Sequence, residues 1–202
     1  MERDEPKIAW AEELRRGGRL ALSEAFDQHR GRLRRMVQYR MDVRLRSRLD
    51  ASDVLQEAFL EAARRLERAQ APEGVPLYVW LRGLTWDQIL ALHRRHLGAQ
   101  KRSICREIPA ETSIRLGKRL LSLTSPSESL LQEELQRRVQ DALGRLTAED
   151  REVLLMRHIE DMTNAEVASV LGLTEPGASM RYGRALSRLR SDLTRHDSSD
   201  PS

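Results

Sequence analysis

The sequence predicts an all-α protein: two small helical domains joined by a linker, the C-terminal one a four-helix helix-turn-helix domain. Three observations predict it. Apolar residues recur at helical spacing through long windows of the chain. No stretch alternates Val, Ile and Thr with polar residues, and aromatics are 4% of the 202 residues, so no strand is expected. The stretch from Thr147 to Leu193 is cut into three helices by its own start and stop signals. The expected organisation is an N-terminal extension (1–19), a first domain (20–98), a linker (99–127), a second domain (128–193) and a polar tail (194–202) expected to be disordered.

The first elements follow from periodicity. Residues 1–18 are polar and end in Gly17-Gly18, with a short helix around Ile8–Leu14 as the most they would form. A helix is expected from about Leu20 to Tyr39, through Leu22, Phe26, Leu33, Met36 and Val37. Its partner starts at Asp50, a cap residue with Asp53 three positions on. Val54, Leu55, Ala58, Phe59, Ala62 and Leu66 share one face of that helix. Asp53, Glu57 and Glu61 lie at i, i+4 and i+8 on roughly the other, where like charges repel by a few tenths of a kcal/mol per pair. An acidic stripe of this kind is either a solvated face or one offered to a basic partner.

The loop APEGVP (71–76) leads into LYVWLRGLTWDQILALHRRHLGAQKR, with Leu77, Trp80, Leu81, Leu84, Ile89 and Leu92 as its core side. Arg94, Arg95, Lys101 and Arg102 follow. Aromatics beside arginines can stack on unpaired bases while the cations hold phosphates. Trp80, in the middle of the apolar face, reads as core from its position; Trp86, beside Asp87, is not placed by spacing. His93 and His96 are three apart, but no second Cys/His pair completes a zinc set, and no metal or cofactor is expected.

Residues 99 to about 124 show no period. SPSE (125–128) starts a helix with a cap Ser, Pro at the first position and Glu at the third. That helix uses Leu130, Leu131, Leu135, Val139 and Leu143, and should stop at Gly144. Thr147 with Asp150 opens the next, to about His158. Thr163 with Glu166 opens a short one to about Leu171, ended by Gly172. Thr174 caps a third, with Glu175 and Pro176 in its first turn. At 100° per residue, Ala178, Tyr182, Ala185, Leu186, Leu189 and Leu193 fall within a sector of about 100°, while Arg181, Arg184 and Arg188 lie together elsewhere. A short helix, a Gly turn and a basic helix form the pattern of a helix-turn-helix.

Charge is distributed in blocks. The whole chain carries a formal +4, but Arg30–Arg48 holds eight arginines and one acid, and Arg82–Arg106 six basic residues and one acid. Asp50–Glu61 holds four acids and no base. Blocks of opposite sign suggest separate surfaces for separate partners, at least one polyanionic. Cys105 is the single cysteine, which excludes an internal disulfide. With no apolar leader and no apolar run near 18 residues, a cytoplasmic protein away from membranes is expected.

This order of parts resembles the bacterial RNA polymerase sigma factors, and most of all the extracytoplasmic-function (ECF) group, which keeps only the region-two and region-four domains. DASDVLQEAFLEAARRL is similar to the family's polymerase-binding segment, and VPLYVWLRGLTWDQILALHRRH to its promoter-melting and −10-reading segment. LGRLTAEDREVLLMRHIEDMTNAEVASVLGL and the helix after it are similar to its −35-reading domain. The resemblance implies that Asp50, Asp53, Gln56, Glu57 and Glu61 contact core polymerase, on the clamp helices of its largest subunit. It places Trp80, Trp86, Arg94 and Arg95 at the opened −10 strand, and Ser179, Met180, Arg181, Arg184 and Arg188 at the −35 groove. Promoter DNA, the polymerase flap, and an anti-sigma factor or kinase that holds the protein inactive are the implied partners; no catalysis is implied.

The sequence departs from the family in the recognition helix, EPGASMRYGRAL. The usual Lys is Ser179 and the usual Ser is Met180; near the −10 segment Ala91 replaces a common Asp. Two other readings compete. A stand-alone helix-turn-helix regulator leaves the acidic stripe and the tryptophan segment without a role. A recombinase with a helix-turn-helix tail needs a nucleophile or metal carboxylates, and Ser52 with Asp53 is only a helix start.

Overall fold

The computed structural model describes residues 9–46, 49–97, 116–117, 119–120 and 129–197, and every element among them is helical. The chain divides into two compact units, Met1–Ala99 and Gln100–Ser202.

In the first unit α1 (Ala9–Arg40) and α3 (Ala51–Glu67) pack on each other and on α4 (Leu77–Leu97), with the single turn α2 (Val43–Arg46) between α1 and α3. Leu22, Leu33, Met36 and Val37 from α1 meet Val54, Leu55, Ala58 and Ala62 from α3 and Tyr78, Leu81, Leu84 and Ile89 from α4 in one buried core. The apolar faces read from spacing are the buried faces, because a helix in water is held mainly by burying such a stripe. Phe59 is the half-buried member of its face and meets Phe26 edge-on, ring centres 5.6 Å apart. Asp50 caps α3 as its sequence indicates: its side chain accepts from Ser52 N at 2.7 Å, and Asp53 reaches back to the cap amide.

The structure extends the expected first helix towards the N-terminus. Gly18, at φ 60° and ψ −148°, breaks α1 in two, and the piece before it, Ala9–Gly17, is helical and packed. Leu14 is buried, and Trp10 stacks on Trp80 with ring centres 5.0 Å apart. Trp10 Nε1 also donates to the Val75 carbonyl at 2.9 Å. The positive φ suits glycine, since a Cβ there would be strained.

In the second unit α8 (Glu175–Asp197) packs on α5 (Ser129–Arg145), α6 (Ala148–His158) and α7 (Asn164–Leu171). Thr147 Oγ1 accepts from Asp150 N, and Thr163 and Glu166 form a complete reciprocal cap. Gly172, at φ 64°, takes the left-handed stop after α7. Thr174 Oγ1 accepts from Gly177 N at 3.2 Å, starting α8 where its sequence indicates. Ala178, Ala185 and Leu189 are buried, and Tyr182, Leu186 and Leu193 half-buried, so the predicted sector is the packed one. Arg138 Nη2 donates to the Leu193 carbonyl and ties α5 to the end of α8. The SPSE start lies outside the described residues, and α5 runs one residue past Gly144.

Part of the expected linker is structured. Leu116 is 1% exposed, and a Cβ added to Gly117 would lie 3.2 Å from Val139 Cγ1 and 3.7 Å from Leu143 Cδ1. Gly117 therefore lies close against α5, and Leu116 beside it is buried. Absence of period over so short a piece hid this, because one buried Leu makes no pattern.

A buried histidine in the first unit, His93, and a half-buried one in the second, His158, both have lowered pKa values. His93 Nε2 accepts from Asp42 N at 3.2 Å, and burial pushes its pKa below the usual 6.5, against Asp42 and with Arg44. Burial does the same to His158, helped by Arg157 and Arg119 and opposed by Asp161. Each folded imidazole thus binds a proton less readily than its unfolded counterpart. Their stabilising contribution is complete above pH 6.5 and is lost as pH falls below it. The depressed carboxylates, such as Asp42 at about 2, act only below their ordinary values of 3.8–4.5. Urea midpoints are therefore expected to fall between pH 6.5 and 5, and His93→Gln with His158→Gln to flatten that slope; an unchanged slope would contradict the assignment.

Candidate nucleic-acid and protein-binding surfaces

Three helices, α3, α4 and α8, carry the residues singled out by the sequence.

The first is the outer face of α3. Asp50, Asp53, Gln56 and Glu57 are all exposed there. The Asp50 carboxyl lies below the usual carboxylate range through its bond to the Ser52 amide, so it is anionic across the physiological range. Glu61 differs from the rest. It is half-buried, accepts from Arg65 Nε at 2.8 Å and lies 3.4 Å from Arg64 Nε. These pairs, at i+3 and i+4, satisfy Glu61 within its own helix, so the open acidic face is shorter than the stripe counted from sequence. Beside it, Ser23, Phe26, Asp27, Arg30, Ser52, Leu55, Gln56 and Phe59 line a shallow groove between α1 and α3.

The second surface is α4. Trp80 is 6% exposed and covered by Trp10, in keeping with its place in the middle of the apolar face. Trp86 is half-buried, with the Arg40 guanidinium 5.2 Å from its ring centre. Arg94, Arg95 and His96 are exposed at the end of the helix. Here a half-open indole and two free-standing guanidinium groups are on one helix, the pairing that single-strand binding uses. His93, three residues before His96, is turned into the unit and bonded to Asp42 N, so the two histidines do not converge. Among the described residues, no three His, Cys, Asp or Glu side chains cluster as a metal site.

The third surface is the outer side of α8. Ser179, Met180 and Arg184 are exposed, and Met180 is 65% so. Arg181 is half-buried; the Glu149 carboxyl at the start of α6 lies below its usual pKa through hydrogen bonds to its own backbone and to Thr147, with Arg181 adding to them. Arg188 leaves the row of three. Its Nη1 donates to Oδ2 of Asp150, whose side chain is only 8% exposed. Asp150 thus has two roles: its amide donates to Thr147 Oγ1 at the start of α6, and its carboxylate is the buried acceptor for Arg188. Arg188→Ala leaves that carboxylate without its partner and is expected to cost the second unit about 1–3 kcal/mol, read as a lower urea midpoint. A stability unchanged within error would place Arg188 back on the solvent face.

Sequence reasoning missed Trp10, the Arg40–Trp86 contact and the Asp150–Arg188 pair. Trp10 carried a signal: an amphipathic turn with a buried Leu14 before a double glycine.

Residues 25–97 match the family model for sigma-70 region 2, and residues 136–189 that for sigma-70 region 4. A probable RNA polymerase sigma factor, RfaY, of Xanthomonas campestris pv. campestris is 30% identical over 147 residues, which are 71% of this chain and 34% of that protein. The chain thus spans about a third of that relative's length. The ECF RNA polymerase sigma factor SigD of Mycobacterium tuberculosis is 29% identical over 177 residues, 88% of this chain and 79% of that one. The solved structure of CnrH in complex with the cytosolic domain of CnrY has the same fold, at TM-score 0.51 and 21% identity, over 95% of this chain and 97% of that one. No helix among the described residues is long and apolar enough to cross a membrane.

Proposed function

This chain belongs to the sigma-70 family of RNA polymerase sigma factors, in its extracytoplasmic-function group, and from that premise we propose that it binds core RNA polymerase and directs it to specific promoters, helping to open the −10 region. The carrying observation is that one chain holds both an open acidic helix face, on α3, and an outward basic face on the second helix of a helix-turn-helix, α8. A stand-alone regulator uses only the second. Asp50, Asp53, Gln56 and Glu57 meet a basic helical element of the polymerase, the clamp helices of its largest subunit. A basic partner relieves the repulsion between Asp53 and Glu57, so the docked state is favoured relative to the free one.

Trp86, Arg94 and Arg95 take the opened −10 strand by stacking and phosphate neutralisation. Trp80 acts behind them: clamped by Trp10, it fixes the start of α4 on which they stand. Arg184, Ser179, Met180 and Arg181 enter the −35 major groove. The chain supplies binding energy and position; bond making belongs to the polymerase, so it is a specificity subunit and no enzyme. The work is done in the cytoplasm, at the nucleoid when polymerase is bound. An anti-sigma factor is a further partner: the matched CnrH structure is of a complex with the cytosolic domain of CnrY. The domain bounds follow the same reading, with residues 20–98 on core and the −10 strand and 128–193 on the −35 duplex.

Run-off transcription with purified core polymerase on a fragmented genomic library tests this. Discrete transcripts that depend on the chain are expected. Firm binding of the chain alone to duplex DNA, with no chain-dependent transcripts, would favour the stand-alone regulator.

A further inference from the structure

We propose that Met180 reads the C5-methyl group of a thymine in the −35 duplex and so helps set which promoters this factor accepts. The inference rests on the placement of α8 in the −35 groove argued above. It begins from an oddity of the surface. Only Leu20, Leu173 and Met180 are exposed large apolar side chains among the described residues, and Met180 alone lies on the outer face of α8.

Its position on the helix is specific. At 100° per residue, Met180 points about 160° away from the mean direction of the buried Ala178, Ala185 and Leu189. It is therefore the outermost ridge of the helix. Arg184, four residues on, lies about 40° from it on the same ridge. Gly177 and Gly183 lie about 60° to either side, so bare backbone flanks the thioether. A Cβ built on Gly183 would meet nothing within 4 Å, and one on Gly177 would meet only Thr174 Oγ1 at 3.0 Å and Leu173 Cβ at 3.8 Å. Small residues there let the groove floor come close to the ridge, and the side chain that arrives first is Met180.

The chemistry selects the target. A thioether offers no donor and only a weak acceptor, so it cannot read the hydrogen-bonding edge of a base. Of the groups in the major groove, the thymine methyl is the one apolar feature. Methionine, unbranched and polarisable, fits such a group without demanding one rigid geometry. Arg184, one turn away, can bind guanine O6 and N7. Together they predict a −35 element in which a thymine lies within a base pair or two of a guanine.

The test uses holoenzyme assembled from core polymerase and the full chain. Preferred −35 duplexes are first selected from a randomised library. Each thymine of the winner is then replaced singly by deoxyuridine, which removes only the methyl. One position is expected to weaken wild-type binding about threefold to fivefold, the scale of one buried methyl. Met180→Ala should bind the thymine duplex as weakly as wild type binds the uridine one, and should not distinguish the two. Met180→Leu should keep the distinction. At the same position 5-methylcytosine should bind better than cytosine by a similar factor in wild type and not in Met180→Ala, which separates methyl reading from reading of the A·T pair. If wild type is indifferent to uridine at every position, or if Met180→Ala keeps the same sensitivity, the proposal is overturned. If holoenzyme selects no −35 sequence at all, the placement of α8 fails and the proposal falls with it.

Discussion

Lysine at both Asp53 and Glu57 is expected to weaken binding to core RNA polymerase roughly a hundredfold, about 3 kcal/mol. Both side chains are exposed on one face of α3, one turn apart. Opposed to a basic element, two reversed charges exchange two attractions for two repulsions, and like charges pressed together across an interface cost several kcal/mol. The effect on the free protein is small and partly favourable. Glu57→Lys removes a like-charge pair with Asp53 and Glu61 at i−4 and i+4. Asp53→Lys removes the acceptor for the Asp50 amide, 3.3 Å away, one half of the cap. Circular dichroism of the variant should match wild type, and a pull-down or anisotropy titration with core polymerase should show the loss. A folded variant that still binds core at wild-type strength would take this face out of the interface. Glu61→Ala provides the contrast. Arg64 and Arg65 already neutralise Glu61, so its loss should change core binding less than twofold.

The gradation between Glu57 and Glu61 shows what the sequence could and could not convey. Local signals were legible. Asp50, Thr147, Thr163, Thr174 and Gly172 act within four residues of themselves, and each bounds a helix where its spacing indicates. Apolar period was legible too, since the buried faces of α3 and α8 follow from angle alone. What stayed hidden depends on partners distant in sequence. Trp80 could be placed on an apolar face, but its cover, Trp10, lies seventy residues earlier. Arg188 shares charge and spacing with Arg181 and Arg184; only the fold reveals Asp150 beneath it. Asp150 itself was masked by its place in a capping signature, where a second role leaves no trace. Residues 116–117 read as linker from sequence because one buried Leu and one close-packed Gly are too few to show a period. The candidate sites are thus narrower than the residue types implied: three open acids on α3, a half-open tryptophan with Arg94 and Arg95 on α4, and Arg184, exposed beside Met180, on α8.

Replacement of Arg184 by Ala should lower holoenzyme affinity for the −35 duplex about tenfold to a hundredfold, roughly 1–3 kcal/mol. It is exposed and lies on the outer ridge of α8 next to Met180. Arg181 is half-buried where Arg184 is exposed, so less of its guanidinium is open to DNA. Its replacement should therefore cost less than that of Arg184. Equal losses, or a larger loss at Arg181, would mean that α8 enters the groove on another side. The form of the Arg184 loss tells what it touches. If it binds guanine, Arg184→Ala relaxes the preference at one base pair and binds the mismatched duplex nearly as well as before. If it binds phosphate, affinity drops for every sequence alike, and the slope of log affinity against log salt becomes shallower by about one. Thymine reading by Met180 requires the first form, because a thioether one turn from a guanidinium reaches a base edge only where its neighbour also reaches the groove floor. Competition assays with singly mutated −35 duplexes at two salt concentrations separate the two forms.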